Sequence, residues 1–137
     1  ETADGRYLIT LTGICRFDVG DELSVRTPYR QVRARFERFA ADLSEEDDPP
    51  PGIDRPRFAK ALKRYLNRRE LDIDWETAGA APLKPLVTSL SQGLPFDAAE
   101  KQALLEAMDL KARFEVLTAL LEIDSMQDGD DAPPSVQ

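Results

Sequence analysis

The sequence predicts an α+β fold, with a small antiparallel β-sheet at the front of the chain and a helical bundle of three to four helices behind it. Three observations carry that prediction. Asp4-Gly5 precedes a run of β-formers, and Asp-Gly ahead of alternating apolar residues signals a hairpin because both turn residues accept positive φ. Residues 42–53 are acidic and then proline-rich, and across them the apolar period changes from that of a strand to that of a helix. Beyond them, Asp or Pro start signals stand ahead of each apolar stripe.

In residues 6–12, Tyr7, Ile9 and Leu11 share one face and Leu8, Thr10 and Thr12 the other, as in a strand. Gly13 reads as a bulge or a close backbone approach, and Ile14 to Phe17 continue the strand. Val19-Gly20-Asp21-Glu22 reads as a turn, and Leu23 to Val25 as a short extended piece. Pro28 keeps Thr27 out of the helical region. Tyr29 to Phe36 then alternates, setting Arg30, Val32, Ala34 and Phe36 against Tyr29, Gln31, Arg33 and Arg35. The first set, Arg30 apart, is expected to face inward, and the second forms a basic, half-exposed face. This β-lobe spans 1–41, and 42–53 is read as an exposed acidic, Pro-rich linker.

Asp54 can cap a helix with Pro56 in its first turn. Its apolar stripe is Phe58, Leu62, Tyr65 and Leu66, with Ala59 beside them, and it ends near Arg69. Asp74 can cap a short turn that buries Trp75. Pro85 is tolerated only in a first turn, so the next helix starts at 82–84, buries Leu83, Leu86, Val87 and Leu90, and stops at Gly93. Leu94-Pro95-Phe96 is a tight apolar connector. Asp97 and Glu100 form a capping box for a helix that buries Leu104, Leu105 and Met108. Asp109 can cap a last helix from Leu110 to about Glu122, with Phe114, Leu117, Leu120 and Leu121 inward. The helical lobe spans 54–123, and the polar segment 124–137 is expected to be a disordered tail.

At 137 residues the chain supports one modest core. No apolar run is long enough for a membrane-spanning helix, and no membrane partner is expected. Cys15 stands alone, which excludes an intramolecular disulfide and fits a reducing, cytoplasmic setting. In its apolar run it reads as a buried, inert thiol. The net charge of -8 argues against a general nucleic-acid binder. Yet Arg55, Arg57, Lys60, Lys63, Arg64, Arg68 and Arg69 share a segment free of acidic residues, just after Asp42, Glu45, Glu46, Asp47 and Asp48. The acidic cluster is the expected internal partner of the basic helix.

Several stretches together resemble the substrate-binding N-terminal domain of Lon proteases, in particular its small stand-alone bacterial relatives. They are the run from Asp4-Gly5-Arg6-Tyr7 to Cys15-Arg16-Phe17, the strand Pro28-Tyr29-Arg30-Gln31-Val32, the segment from Leu86-Val87 to Leu94-Pro95-Phe96, and Glu100-Lys101-Gln102-Ala103-Leu104-Leu105-Glu106-Ala107. They follow one another in the family's order and leave out little besides the linker and the tail. The resemblance implies a PUA-like β-lobe followed by helices, and a module that recognises unfolded or tagged polypeptides, with an ATP-dependent protease as a further partner. In the family more β-structure precedes the Asp-Gly hairpin. The expectation is therefore a fragment lacking the first strands, or a homodimer in which another copy supplies them at the exposed strand edge.

No chemistry is legible. The glycines have no phosphate-loop spacing, there is no histidine, and Ser89, Ser91, Lys84 and Lys101 read as helix-surface residues. The chain is read as non-catalytic, with no catalytic, cofactor-binding or metal residues. The candidate peptide contacts are Tyr29, Phe36, Phe39, Trp75 and Phe96, which would add apolar contact to main-chain pairing, although each of them except Tyr29 reads more readily as a core residue. Two other readings stay open: a docking protein for an ATP-dependent protease, and an RNA-binding module using the basic helix 55–69.

Overall fold

A computed structural model describes residues 5–44 and 50–126. The readings placed on Asp4, on the acidic residues 45–48 and on the tail from 127 lie outside the described residues. The chain divides into two units, Glu1–Glu45 and Glu46–Gln137.

The first unit holds a two-stranded antiparallel sheet, β1 (Asp18–Glu22) and β2 (Val32–Arg35). Asp18 faces Arg35, Val19 faces Ala34 and Glu22 faces Val32, with an irregularity between Val19 and Glu22. Gly20 sits in that bulge, where a Cβ would lie 2.6 Å from the Arg33 carbonyl oxygen, so no larger residue fits without moving the strands. The reading of 19–22 as a turn is corrected here. The glycine serves a close approach within a strand, and the connection is the longer loop 23–31, closed by Leu23 N donating to Gln31 O at 2.8 Å. The alternation of β2 holds at its centre, with Val32 and Ala34 half-buried and Arg33 and Arg35 exposed.

Two further expectations for this unit are overturned. Residues 6–17 form no strand, and Tyr7, Leu8, Ile9, Leu11 and Ile14 are largely exposed. Alternation alone does not make a strand, because its backbone groups need a neighbour to pair with. Phe36 is also half-exposed where burial was expected, at the point where the chain leaves the sheet for a 3₁₀ segment, Glu37–Leu43, kinked at Phe39. That segment takes Asp42 out of the expected linker.

The second unit carries α1 (Arg55–Arg68), α2 (Trp75–Ala80), α3 (Leu83–Gly93), α4 (Ala98–Glu106) and α5 (Leu110–Met126). Four of them start at a predicted aspartate cap. Asp54 accepts from Arg57 N at 3.0 Å, Asp74 from Glu76 N and Thr77 N, and Asp109 from Ala112 N at 2.8 Å, while Asp97 and Glu100 close the capping box. α5 packs on α1, α3 and α4, so the bundle is assembled around it. Phe58, Leu62, Tyr65, Leu66, Leu83, Val87, Leu104, Phe114, Leu117 and Leu121 fill the core.

The departures have local causes. Ala61, not Ala59, completes the stripe of α1. α3 ends because Pro95 holds Leu94 extended, and Gly93 is simply its last helical residue. Trp75 opens a six-residue helix that buries nothing, and it is 41% exposed. Leu105 and Met108 are exposed, because α4 meets its neighbours through Leu104 and the following turn through Ala107. α5 runs to Met126, so residues 124–126 are helix, where a disordered tail was expected. α1 ends with Glu70 at φ 53 and Leu71 N donating to Leu66 O at 2.9 Å, a left-handed cap usually given to glycine.

Candidate functional site

The first unit is held by one polar node. The Arg16 guanidinium grips Asp42 with two bonds of 2.7 Å, and Arg16 N donates to the same carboxylate at 3.0 Å. Both side chains are largely shielded from water, which strengthens a bidentate pair. The Arg16 and Arg38 guanidinium carbons lie 4.3 Å and 5.0 Å from the centroid of the Phe39 ring. The Cys15 thiol donates toward the Arg16 and Phe39 carbonyl oxygens, so this half-buried cysteine belongs to the same node.

Beside the node, the sheet keeps an apolar face in solvent. Phe17 and Phe36 contact each other across the ends of the two strands, with ring centroids 5.7 Å apart, and each residue is about half-exposed. Val19, Leu23, Val25 and Tyr29 of the same unit are exposed as well. Charges flank this face. Arg30 forks onto Glu22 with bonds of 2.9 Å and 2.7 Å, which lowers the Glu22 pKa, and Arg38 reaches Asp18 at 3.3 Å. No carboxylate among the described residues pairs with Arg33 or Arg35.

Of the five candidate contact residues, Tyr29, Phe36 and Trp75 are accessible. Phe39 lies beneath two guanidiniums, and Phe96 lies in the helical core against Tyr65, with ring centroids 5.6 Å apart. Neither ring is available as a surface contact in this structure. Trp75 and Phe96 belong to the helical unit, so the accessible aromatics of the sheet are Tyr29, Phe36 and Phe17. Phe17 was missed because it was read only as the last residue of the first strand. Its place opposite Phe36 depends on a register that the misread turn concealed.

The described acids that meet the basic helix come from α5, while Glu45, Glu46, Asp47 and Asp48 of the expected partner cluster lie outside the described residues. Arg57 forks onto Glu122 at 2.8 Å and 2.6 Å, lowering the Glu122 pKa, while Arg69 reaches Asp124 at 2.5 Å and Arg68 lies 3.5 Å from it. Asp42, from the cluster proposed as partner, serves Arg16 instead. Arg55, Lys60, Lys63 and Arg64 have no ion pair among the described residues and remain exposed.

A cleft of about 290 Å³ opens where α1 begins, lined by Gly52, Asp54, Arg57, Phe114, Glu115 and Thr118. Its polar groups are largely committed: Asp54 caps α1, Arg57 holds Glu122, and the Thr118 hydroxyl donates to Phe114 O at 2.7 Å. Among the described residues no cluster of potential metal ligands occurs, and no helix is long and apolar enough to cross a membrane.

Comparison with known proteins supplies the family. The model of the ATP-dependent protease La (LON) substrate-binding domain matches residues 1–122, and no curated protein matches the chain. The chain therefore belongs to the Lon substrate-binding domain family, a non-catalytic, substrate-recognising kind of domain.

Proposed function

We propose that this member of the Lon substrate-binding domain family recognises extended, unfolded segments of other polypeptides. The observation that carries the reading is the solvent-facing Phe17–Phe36 pair on a two-stranded sheet whose outer edges pair with no strand among the described residues. An incoming segment takes main-chain hydrogen bonds from an open edge and apolar contact from the rings, which is the physics of strand addition. Tyr29 and Phe36 are the sequence-derived contacts that support this reading, and Phe17 joins them. Holding a segment in this way requires no bond to be broken, in keeping with a recognition role beside an ATP-dependent protease.

The test is titration of a labelled casein-like unfolded polypeptide into the full chain, followed by anisotropy and by amide chemical shifts. Saturable binding with shifts centred on 17–36, weakened by Phe17→Ala and Phe36→Ala, is the expected result. No anisotropy change, or shifts confined to the helical unit, would overturn the reading.

A second reading rests on Arg55, Lys60, Lys63 and Arg64, which leave a cationic face on α1. An RNA held there would be released steeply as salt rises, because phosphate contacts displace condensed counterions. Absence of retention on heparin at low salt would end it.

A further inference from the structure

We propose that the outer edge of β2 selects extended segments in which acidic and apolar residues alternate. This inference rests on the strand-addition reading above and goes beyond it by naming the sequence pattern recognised.

Of the sheet's two edges, β1 is poorly suited to extension. Its ladder is broken between Val19 and Glu22, and a bulged edge resists pairing. It also carries Asp18, Asp21 and Glu22 within five residues. β2 is a regular four-residue strand, Val-Arg-Ala-Arg, whose outward groups bond to nothing else among the described residues.

The two faces of β2 differ in chemistry. Arg33 and Arg35 project together on one face, and Val32 and Ala34 on the other, which continues to the Phe17–Phe36 pair. Other arginines of this unit already hold carboxylates: Arg16 holds Asp42, Arg30 holds Glu22, and Arg38 holds Asp18. Arg38 thereby occupies the carboxylate of Asp18, the residue directly across from Arg35. Among the described residues Arg33 and Arg35 are thus two exposed positive charges at strand spacing that hold no carboxylate in an ion pair. A strand laid along this edge places alternate side chains about 5 Å from them, within the range where cross-strand charge pairs act. The intervening side chains fall on the apolar face. An acidic–apolar alternation satisfies both faces at once.

The same charges disfavour a second copy as the occupant. Edge-to-edge pairing of two β2 strands with faces aligned sets Arg33 and Arg35 against their own counterparts, and like charges directly opposite destabilise a sheet. Charged edge residues are a known means of preventing self-association, so the arginines exclude the chain itself while admitting an acidic partner.

The experiment measures anisotropy of labelled peptides of about ten residues, long enough for a strand, titrated with the full chain. Three peptides are compared: alternating Glu and Val, alternating Lys and Val, and a block peptide with the Glu/Val composition. The expected result is binding about ten-fold tighter for Glu/Val than for Lys/Val, from two charge pairs that change sign. The block peptide should bind about as weakly as Lys/Val. The preference should shrink as salt rises, vanish in Arg33→Gln/Arg35→Gln and invert in Arg33→Glu/Arg35→Glu, with unchanged resistance to proteolysis within residues 5–44 reporting that the first unit of each variant is folded. Equal binding of all three peptides, while the casein-like polypeptide still binds, would overturn the alternation pattern alone. A preference that survives in the charge-reversed variant would place the selecting charges elsewhere and overturn it too. Binding of neither the peptides nor the polypeptide would overturn the strand-addition reading beneath it.

Discussion

In the helical unit Leu117 and Leu121 are sealed from solvent, whereas in the first unit Leu8 and Leu11 are each 89% exposed. The residue type is the same, and what differs is how each backbone is satisfied. A helix closes its hydrogen bonds within itself, so its apolar stripe needs only another stripe to lie against. A strand leaves both edges open, so its apolar residues are buried only where another strand has been found. One unit shows self-sufficient packing, and the other leaves apolar side chains in solvent and strand edges unpaired among the described residues.

The largest expected effect tests that contrast directly. Leu117→Ala, at the centre of α5, should cost about 3 kcal/mol in urea unfolding followed by helical circular dichroism. Ile9→Ala in the first unit should change stability by less than about 0.5 kcal/mol, the usual result for an exposed side chain. Comparable losses at both positions would erase the distinction. Next in size is Asp42→Ala, which removes three hydrogen bonds to Arg16 and should cost about 2 kcal/mol. Faster proteolytic cleavage within residues 5–44, with the helical signal unchanged, is the outcome to look for.

A smaller change has the opposite sign. Glu70 adopts a left-handed conformation that favours glycine, so Glu70→Gly should raise the midpoint of helical unfolding by about 1 kcal/mol in stability. The smallest effect concerns acid. Arg57 holds Glu122 below the usual glutamate pKa, as Arg30 does for Glu22, so the folded form prefers the ionised carboxylates. Their contribution is present above the ordinary glutamate value and is lost as pH falls through the lowered ones. Glu122→Gln should therefore flatten the acid limb of the stability profile slightly, since exposed pairs contribute little.

The helical unit was largely legible because its signals are local. Asp54, Asp74, Asp97 and Asp109 each act on backbone amides two or three residues away, and each cap was identifiable from its neighbours alone. Which acid answers the basic helix was not legible, because Arg57 and Glu122 lie 65 residues apart and only the fold joins them. The sheet was read less well for the same reason. Gly20 has the composition of a turn, and its role in a bulge follows from the carbonyl of Arg33, on the other strand. The candidate site divided accordingly. Tyr29 and Phe36 were named as aromatics and are accessible, while Phe17 became visible only when the strands were paired, and Phe39 and Phe96 lie in the interior.

The central position of α5 bears on how the helical unit is made. Synthesis produces α1 first, yet the surface against which Phe58, Leu62, Tyr65 and Leu66 rest is completed only when residues 110–126 follow. Until then the emerging polypeptide carries an uncovered greasy ridge, and the time between the two is a window in which chaperones or neighbouring nascent chains can engage it.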